Sequence, residues 1–183
     1  YAEEPFTLNV KVFDGSLREG YNFIPPTDLP LTFTPKESAW YRIDAMNGMV
    51  SVFDGETLML DDCGYGWLES ETTYAIEAES NELFVRKYRP VAEGAVVEEG
   101  YYAFIPEESG NYEFNGESAY DTIMKTQPMW SLGEVELEAG RTYLCYLYNE
   151  GVIQKSTRVY TELTIDGEQK QAGYYTFTPQ KSG

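Results

Sequence analysis

The chain of 183 residues carries 31 acidic and 13 basic side chains, a formal net charge of −18. A field of that sign repels nucleic acid and anionic lipid surfaces, and no apolar run approaches the roughly 20 residues that span a bilayer. Histidine is absent and cysteine occurs twice, which excludes Ser-His-Asp and Cys-His nucleophilic catalysis, imidazole-based zinc sites and a thiolate cage.

Tyr, Phe, Thr and Val are abundant, no long stretch carries an apolar stripe of period 3.6, and turn pairs recur at Asp14-Gly15, Asn47-Gly48, Asp54-Gly55, Asn115-Gly116 and Asp166-Gly167. This predicts an all-β chain of sandwich type. The opening Tyr1-Ala2-Glu3-Glu4-Pro5 has neither the basic nor the apolar region of a signal peptide. A strand ends at Phe33 and leads into Phe33-Thr34-Pro35-Lys36-Glu37-Ser38-Ala39. Pro35 lacks an N–H and marks the point where the chain leaves the sheet. The next strand, Trp40-Tyr41-Arg42-Ile43, sets Tyr41 and Ile43 inward and Trp40 outward. A variable middle over 47–66 follows, then a closing strand in which Tyr74, Ile76 and Ala78 face inward and Ala75, Glu77 and Glu79 outward.

The same order then returns. Phe104-Ile105-Pro106-Glu107-Glu108-Ser109-Gly110 lies 71 residues after the first phrase, and Phe177-Thr178-Pro179-Gln180-Lys181-Ser182-Gly183 lies 73 after the second. Asn111-Tyr112-Glu113-Phe114 repeats the strand after the turn, and Leu137–Leu147 repeats Leu68–Ala78 at an offset of 69. Tyr101-Tyr102 and Tyr174-Tyr175 precede the later phrases at the same distance. A fixed period denotes a duplicated unit. The expected division is therefore a first β-sandwich repeat over 1–85, a second over 86–155, and a connecting segment with the start of a third over 156–183, with a strand over 172–178. The first phrase ends in Ala39 where the others have Gly, so its turn should differ or accommodate a Cβ. In the second closing strand Tyr143, Cys145 and Leu147 mark one face, but Leu144, Tyr146 and Tyr148 make the other apolar too. Units of about 70 residues bury little surface alone, so this second face is expected to be covered by the neighbouring unit. Cys145 stands where the first unit has Ile76 and reads as a buried thiol.

The remaining chemistry is carboxylate and aromatic. Asp54, Glu56, Asp61 and Asp62 form the densest acidic group, and Asp121 lies in the second middle, 115–133. Calcium takes six to eight oxygens from such groups, so Asp54, Asp61 and Asp62 are candidate ligands, although the spacing does not match an EF-hand loop; otherwise no cofactor is expected. A glycosidase would need two carboxylates across a cleft, which nothing in the pattern indicates. Trp40, Trp67 and Trp130 are candidate ligand-binding residues, because exposed indoles stack on sugar rings.

The phrase Phe-x-Pro-x-x-Ser-Gly, followed by Tyr-x-Phe, Asp121 and Leu137-Glu138-Ala139-Gly140-Arg141-Thr142-Tyr143, resembles the bacterial pre-peptidase C-terminal family; Phe33–Ile43 and Leu68–Ala78 resemble it less closely. The resemblance implies tandem jelly-roll-like β-sandwich units in a secreted bacterial protein, accessory and non-catalytic. Some members bind collagen or calcium, but no calcium-ligating set can be matched here. The expected role is that of a spacer or adhesion element, extracellular or at the cell surface, beside other domains of the same parent chain, with a glycan or a surface protein as partner. The alternative is a carbohydrate-binding module using exposed aromatics.

Overall fold

A computed structural model describes residues 12–61, 64–114, 119–128, 130–131, 133–163, 173–176 and 178. Every regular element among them is a strand. The first eight are β1 (Gly20–Phe23), β2 (Leu31–Phe33), β3 (Ala39–Ala45), β4 (Val50–Asp54), β5 (Thr57–Asp61), β6 (Tyr65–Leu68), β7 (Tyr74–Ala78) and β8 (Glu82–Lys87). They form two antiparallel sheets, ordered β2-β7-β4-β5 and β1-β8-β3-β6. Next come β9 (Arg89–Val91), β10 (Val96–Val97), β11 (Gly100–Phe104), β12 (Gly110–Glu113) and β13 (Tyr120–Asp121). These are followed by β14 (Trp130–Ser131), β15 (Glu134–Leu137), β16 (Tyr143–Leu147), β17 (Gly151–Val152) and β18 (Gln154–Lys155). They give the sheets β13-β16-β11-β9 and β14-β15-β12-β18 and the pair β10-β17. Finally, β19 (Tyr160–Glu162) and β20 (Tyr174–Thr176) pair in parallel. Of the strand expected over 172–178, Tyr174–Thr176 is observed; residues 172 and 177 lie outside the described residues.

Two hydrophobic clusters are found among the described residues. The first runs from Leu17 to Val85 and draws Phe33, Val52 and Ile76 from one sheet and Tyr41, Ile43 and Leu83 from the other. The second runs from Tyr102 to Ile153 and draws Phe104, Tyr143 and Leu147 from one sheet and Tyr112, Val135 and Leu137 from the other. Each is thus a layer between two sheets, as the period-2 alternation requires.

The repeated phrase builds the same corner in both. Phe33 pairs with Tyr74 across β2 and β7, and Phe104 with Tyr143 across β11 and β16. Tyr41 lies opposite Gly66 and Lys87; Tyr112 lies opposite Val135 and Lys155. Phe33 meets Tyr41 edge-on at 5.3 Å, and Phe104 meets Tyr112 at 5.4 Å. The tyrosine hydroxyls donate back across the turn, Tyr41 to the Glu37 carbonyl at 3.1 Å and Tyr112 to the Glu108 carbonyl at 2.8 Å. Ser38 Oγ accepts the Ser70 N–H at 2.8 Å, as Ser109 Oγ accepts that of Ala139 at 2.9 Å. Pro35 and Pro106 are both buried just past their strands, and their carbonyls accept the N–H groups of Glu71 and Gly140 at 2.8 and 2.9 Å. Those two turn residues take φ of 61° and 74°. Gly140 adopts this conformation freely, whereas Glu71 holds it against its own Cβ.

The difference expected between Ala39 and Gly110 is present. Gly110 has φ of 155°, and a Cβ there would stand 2.9 Å from Lys155 Cε; Ala39 is not among the residues at positive φ. Cys145 is buried and free, and burial pushes its thiol up to about 12.

Tyr41→Phe and Tyr112→Phe should each lower stability by about 1 kcal/mol, the net worth of one hydroxyl bridge. Thermal unfolding measures this, and an unchanged melting temperature in both proteins would show that the bridges do not hold the corner.

Candidate functional site

Two of the three candidate tryptophans meet. Trp40 on β3 lies directly opposite Trp67 on β6, with ring centroids 6.1 Å apart and planes at 74°. They occupy the sheet face turned away from the first cluster, and Trp67 is 44% exposed. The Trp67 indole N–H donates to Glu69 at 2.8 Å, and the Ser38 hydroxyl donates to the same carboxylate at 2.6 Å. These bonds, Ser38 first and Trp67 second, hold the Glu69 carboxyl below the usual carboxylate range. The edge-to-face pair presents two ring faces nearly at right angles, not a flat platform. Trp130 belongs to β14, in a sheet of the second cluster, and its side chain lies outside the described residues.

The acidic group is spread along a hairpin. Asp54 ends β4 beside the two-residue turn Gly55-Glu56, and Asp61 ends β5 opposite Ser51. The two positions are three steps apart along β4, about 10 Å at strand spacing. Asp62 lies outside the described residues. Among the described residues no three Asp, Glu or Cys side chains are grouped to hold a metal ion.

Asp121, from the second middle, is 3% exposed. Burial would raise its pKa, but the Met124 N–H, the Arg141 guanidinium and the Ile123 N–H together hold the carboxyl below the usual range. The Arg141 contact is 2.9 Å and the two N–H contacts are 2.9 and 2.8 Å. Asp121 is thus kept charged, the reverse of what a general acid requires.

A larger constellation links the two clusters, on sheet faces turned away from both. Asp44 on β3 is 6% exposed, and its carboxylate accepts from Arg86 on β8 and lies 3.5 Å from Arg42. The Arg86 guanidinium sits 4.5 Å from the Phe84 ring and 5.4 Å from that of Tyr101 on β11; Arg42 sits 5.5 Å from Tyr65. Tyr65 on β6 stacks on Tyr120 of β13 at 4.8 Å and also meets Tyr88. Tyr88 meets Tyr101 edge-on at 5.4 Å, and Tyr101 meets Tyr146 of β16 at 4.7 Å. Tyr88 is 3% exposed and Leu144 is 2% exposed, yet neither belongs to a core cluster. Burial, first of all, pushes the Tyr88 hydroxyl far above the usual phenol range. On the apolar outer face Leu144 is buried and Tyr146 half-buried, but Tyr148, just past β16, is 47% exposed, so the cover expected over all three stops short of it; the counterparts Ala75 and Glu77 on β7 are exposed. Arginine over aromatic rings beside a buried carboxylate combines cation–π attraction with charge pairing in a partly shielded setting.

Sequence reasoning identified Leu144 and Tyr146 because they break the alternation, but it missed Arg42, Asp44, Arg86, Tyr65 and Tyr120. Charges at alternate strand positions read as a solvated face, and nothing local in them shows that a second layer covers it. No family model matches the chain, and no curated protein matches it either. The resemblance set out above therefore rests on the residues quoted for it.

Asp121→Asn should destabilise the protein at neutral pH by roughly 1.5–3 kcal/mol, the scale of a charge-assisted hydrogen bond. The folded-state pKa is depressed, so the wild-type advantage is present above the unfolded carboxylate range and is lost as pH falls through the folded value. Unfolding curves should thus converge in acid; a gap independent of pH would exclude the ionised carboxylate as its source.

Proposed function

We propose that this chain is a non-catalytic spacer or adhesion module of an extracellular or cell-surface bacterial protein, built of tandem jelly-roll-like β-sandwich units over 1–85 and 86–155, with 156–183 opening a further one. The observation that carries this reading is the junction: Tyr65 stacked on Tyr120, and Arg86 held between Asp44 and Tyr101. A spacer must transmit position from one end to the other, and units joined through partly buried aromatic and ionic contacts do so. Interfaces between units joined only by a flexible linker are smaller and more polar, and permit relative motion. The doubled hydrogen-bond set at Tyr41 and Tyr112 supports the tandem division, and the resemblance supports the setting.

Tyr146→Ser is the direct test, with Glu77→Ser at the matching position of β7 as its control. The first should lower the melting temperature and broaden the distance distribution between the clusters in solution scattering, at a cost of about 1–2 kcal/mol from lost aromatic contact. The control should stay within about 0.5 kcal/mol of wild type, as surface substitutions do. Equal effects would remove the case for a fixed junction.

A second reading, a carbohydrate-binding module, is favoured by the Trp40–Trp67 pair on an open sheet face. In that case a glycan array should give binding that Trp67→Ala abolishes with folding intact. Binding that survives Trp67→Ala, or none at all, removes this reading. Calcium at Asp54, Asp61 and Asp62 has less support, since two of the three positions stand about 10 Å apart along the hairpin.

A further inference from the structure

A parallel pairing recurs three times. Ser16 bridges Thr32, Pro90 pairs with Ala103, and Glu162 pairs with Thr176. The second partners stand 71 and 73 residues apart, and the first partners 74 and 72. Residues 160–162 and 174–176 thus stand to the second cluster as residues 88–91 and 101–104 stand to the first. Tyr160 corresponds to Tyr88 and Tyr174 to Tyr101.

The chemistry around them recurs as well. Tyr160 and Tyr174 have ring centroids 5.7 Å apart, and the Arg158 guanidinium lies 4.9 Å from the Tyr174 ring. Glu134 on β15 is 2% exposed; its carboxylate accepts from Ser156 and Tyr160 and lies 3.6 Å from Arg158, which also lies 3.6 Å from Glu113. This is again a buried acid, an arginine and a tyrosine pair, on the sheet of the second cluster that matches the sheet of the first bearing Asp44 and Arg86. The parts come from different positions: Glu134 aligns with Tyr65, and Arg158 is one of four residues between Lys155 and Tyr160, whose counterparts Lys87 and Tyr88 are adjacent. One property differs. Tyr88 is 3% exposed, but Tyr160 is only half-buried, Tyr174 is 44% exposed and Val159 is 79% exposed.

We infer that the face formed by Glu113, Glu134, Arg158 and Tyr160 is the docking surface for a further unit of this same repeat, the unit that β20 opens and whose Tyr174 already lies against Arg158 and Tyr160. The occupant is assigned by continuity with the first junction, where Tyr65 and Arg86 of the first unit pack against Tyr88, Tyr120 and Tyr101. The incoming unit places the sheet that bears Tyr174 over Arg158 and Tyr160 and buries them. This inference rests on the tandem-spacer reading and adds to it where and by which residues the next unit is held.

The test extends the intact chain. Residues 111–155 are appended after Gly183, which stands where Gly110 stands in the second phrase, so that the third phrase continues into the second unit's own sequence. Amide relaxation should give the appended unit the same rotational correlation time as the rest of the molecule. Arg158→Ala lies outside the third unit's sheets and should uncouple it, shortening that time by roughly twofold or more, the signature of a body tumbling on a flexible linker. Tyr174→Ser should do the same. If the appended unit gives dispersed signals but tumbles independently in the unsubstituted chain, the docking surface is overturned and the spacer reading stands. If it tumbles with the rest and neither substitution uncouples it, the assignment to these residues is overturned. If it does not fold, both the docking surface and the reading of the third phrase as an opening unit are overturned.

Discussion

Asp44 is the point on which the arrangement of the molecule depends. A carboxylate that is 6% exposed on the outward side of a strand is costly to bury without a partner, and Arg86 supplies it. Arg86 is in turn held against Phe84 and Tyr101, so the charge pair of one layer is closed by an aromatic ring of the other. Buried pairs of this kind add little net stability compared with an apolar filling, but losing one partner leaves an uncompensated charge and costs several kcal/mol. Such a contact therefore favours one arrangement of the clusters over its alternatives more than it deepens the fold.

The two clusters reach that junction from a shared corner. A phenylalanine closes the end of a strand, a proline ends the ladder, and a tyrosine hydroxyl ties the next strand back to the carbonyl four residues earlier. Each step follows from local chemistry: the missing N–H of Pro35 and Pro106, the edge-to-face preference of the Phe–Tyr pairs, and the need of a part-buried phenol for an acceptor. The outer faces then diverge. Ala75 and Glu77 remain in water, while Leu144 is covered and Tyr146 is partly so.

The inward side of the fold was legible in the sequence because alternation reports burial directly. Tyr41, Ile43, Tyr74, Ile76, Phe104 and Tyr112 are all buried where the pattern placed them. The outward side was legible only where it broke the rule, at Leu144 and Tyr146. Asp44 and Arg86 obey the rule and so gave no signal, since a charge covered by another layer looks the same in sequence as one in solvent. Pairing across the sheet decided the candidate residues. Trp40 and Trp67 are 27 residues apart in sequence yet adjacent in register, whereas Asp54 and Asp61 are close in sequence and drawn apart by an extended hairpin. Single-strand periodicity reports which face a residue takes but not who stands beside it.

One consequence follows from the connections. Only Tyr88 lies between the end of β8 and the start of β9, and β9 is already an edge strand of the next sheet. A single residue spans less than 4 Å, so a pull on the two ends cannot be taken up by slack and must shear the strands themselves. Four residues lie between β18 and β19, long enough to yield first. Under tension the step from β8 to β9 behaves as a rod and the step from β18 to β19 as a hinge.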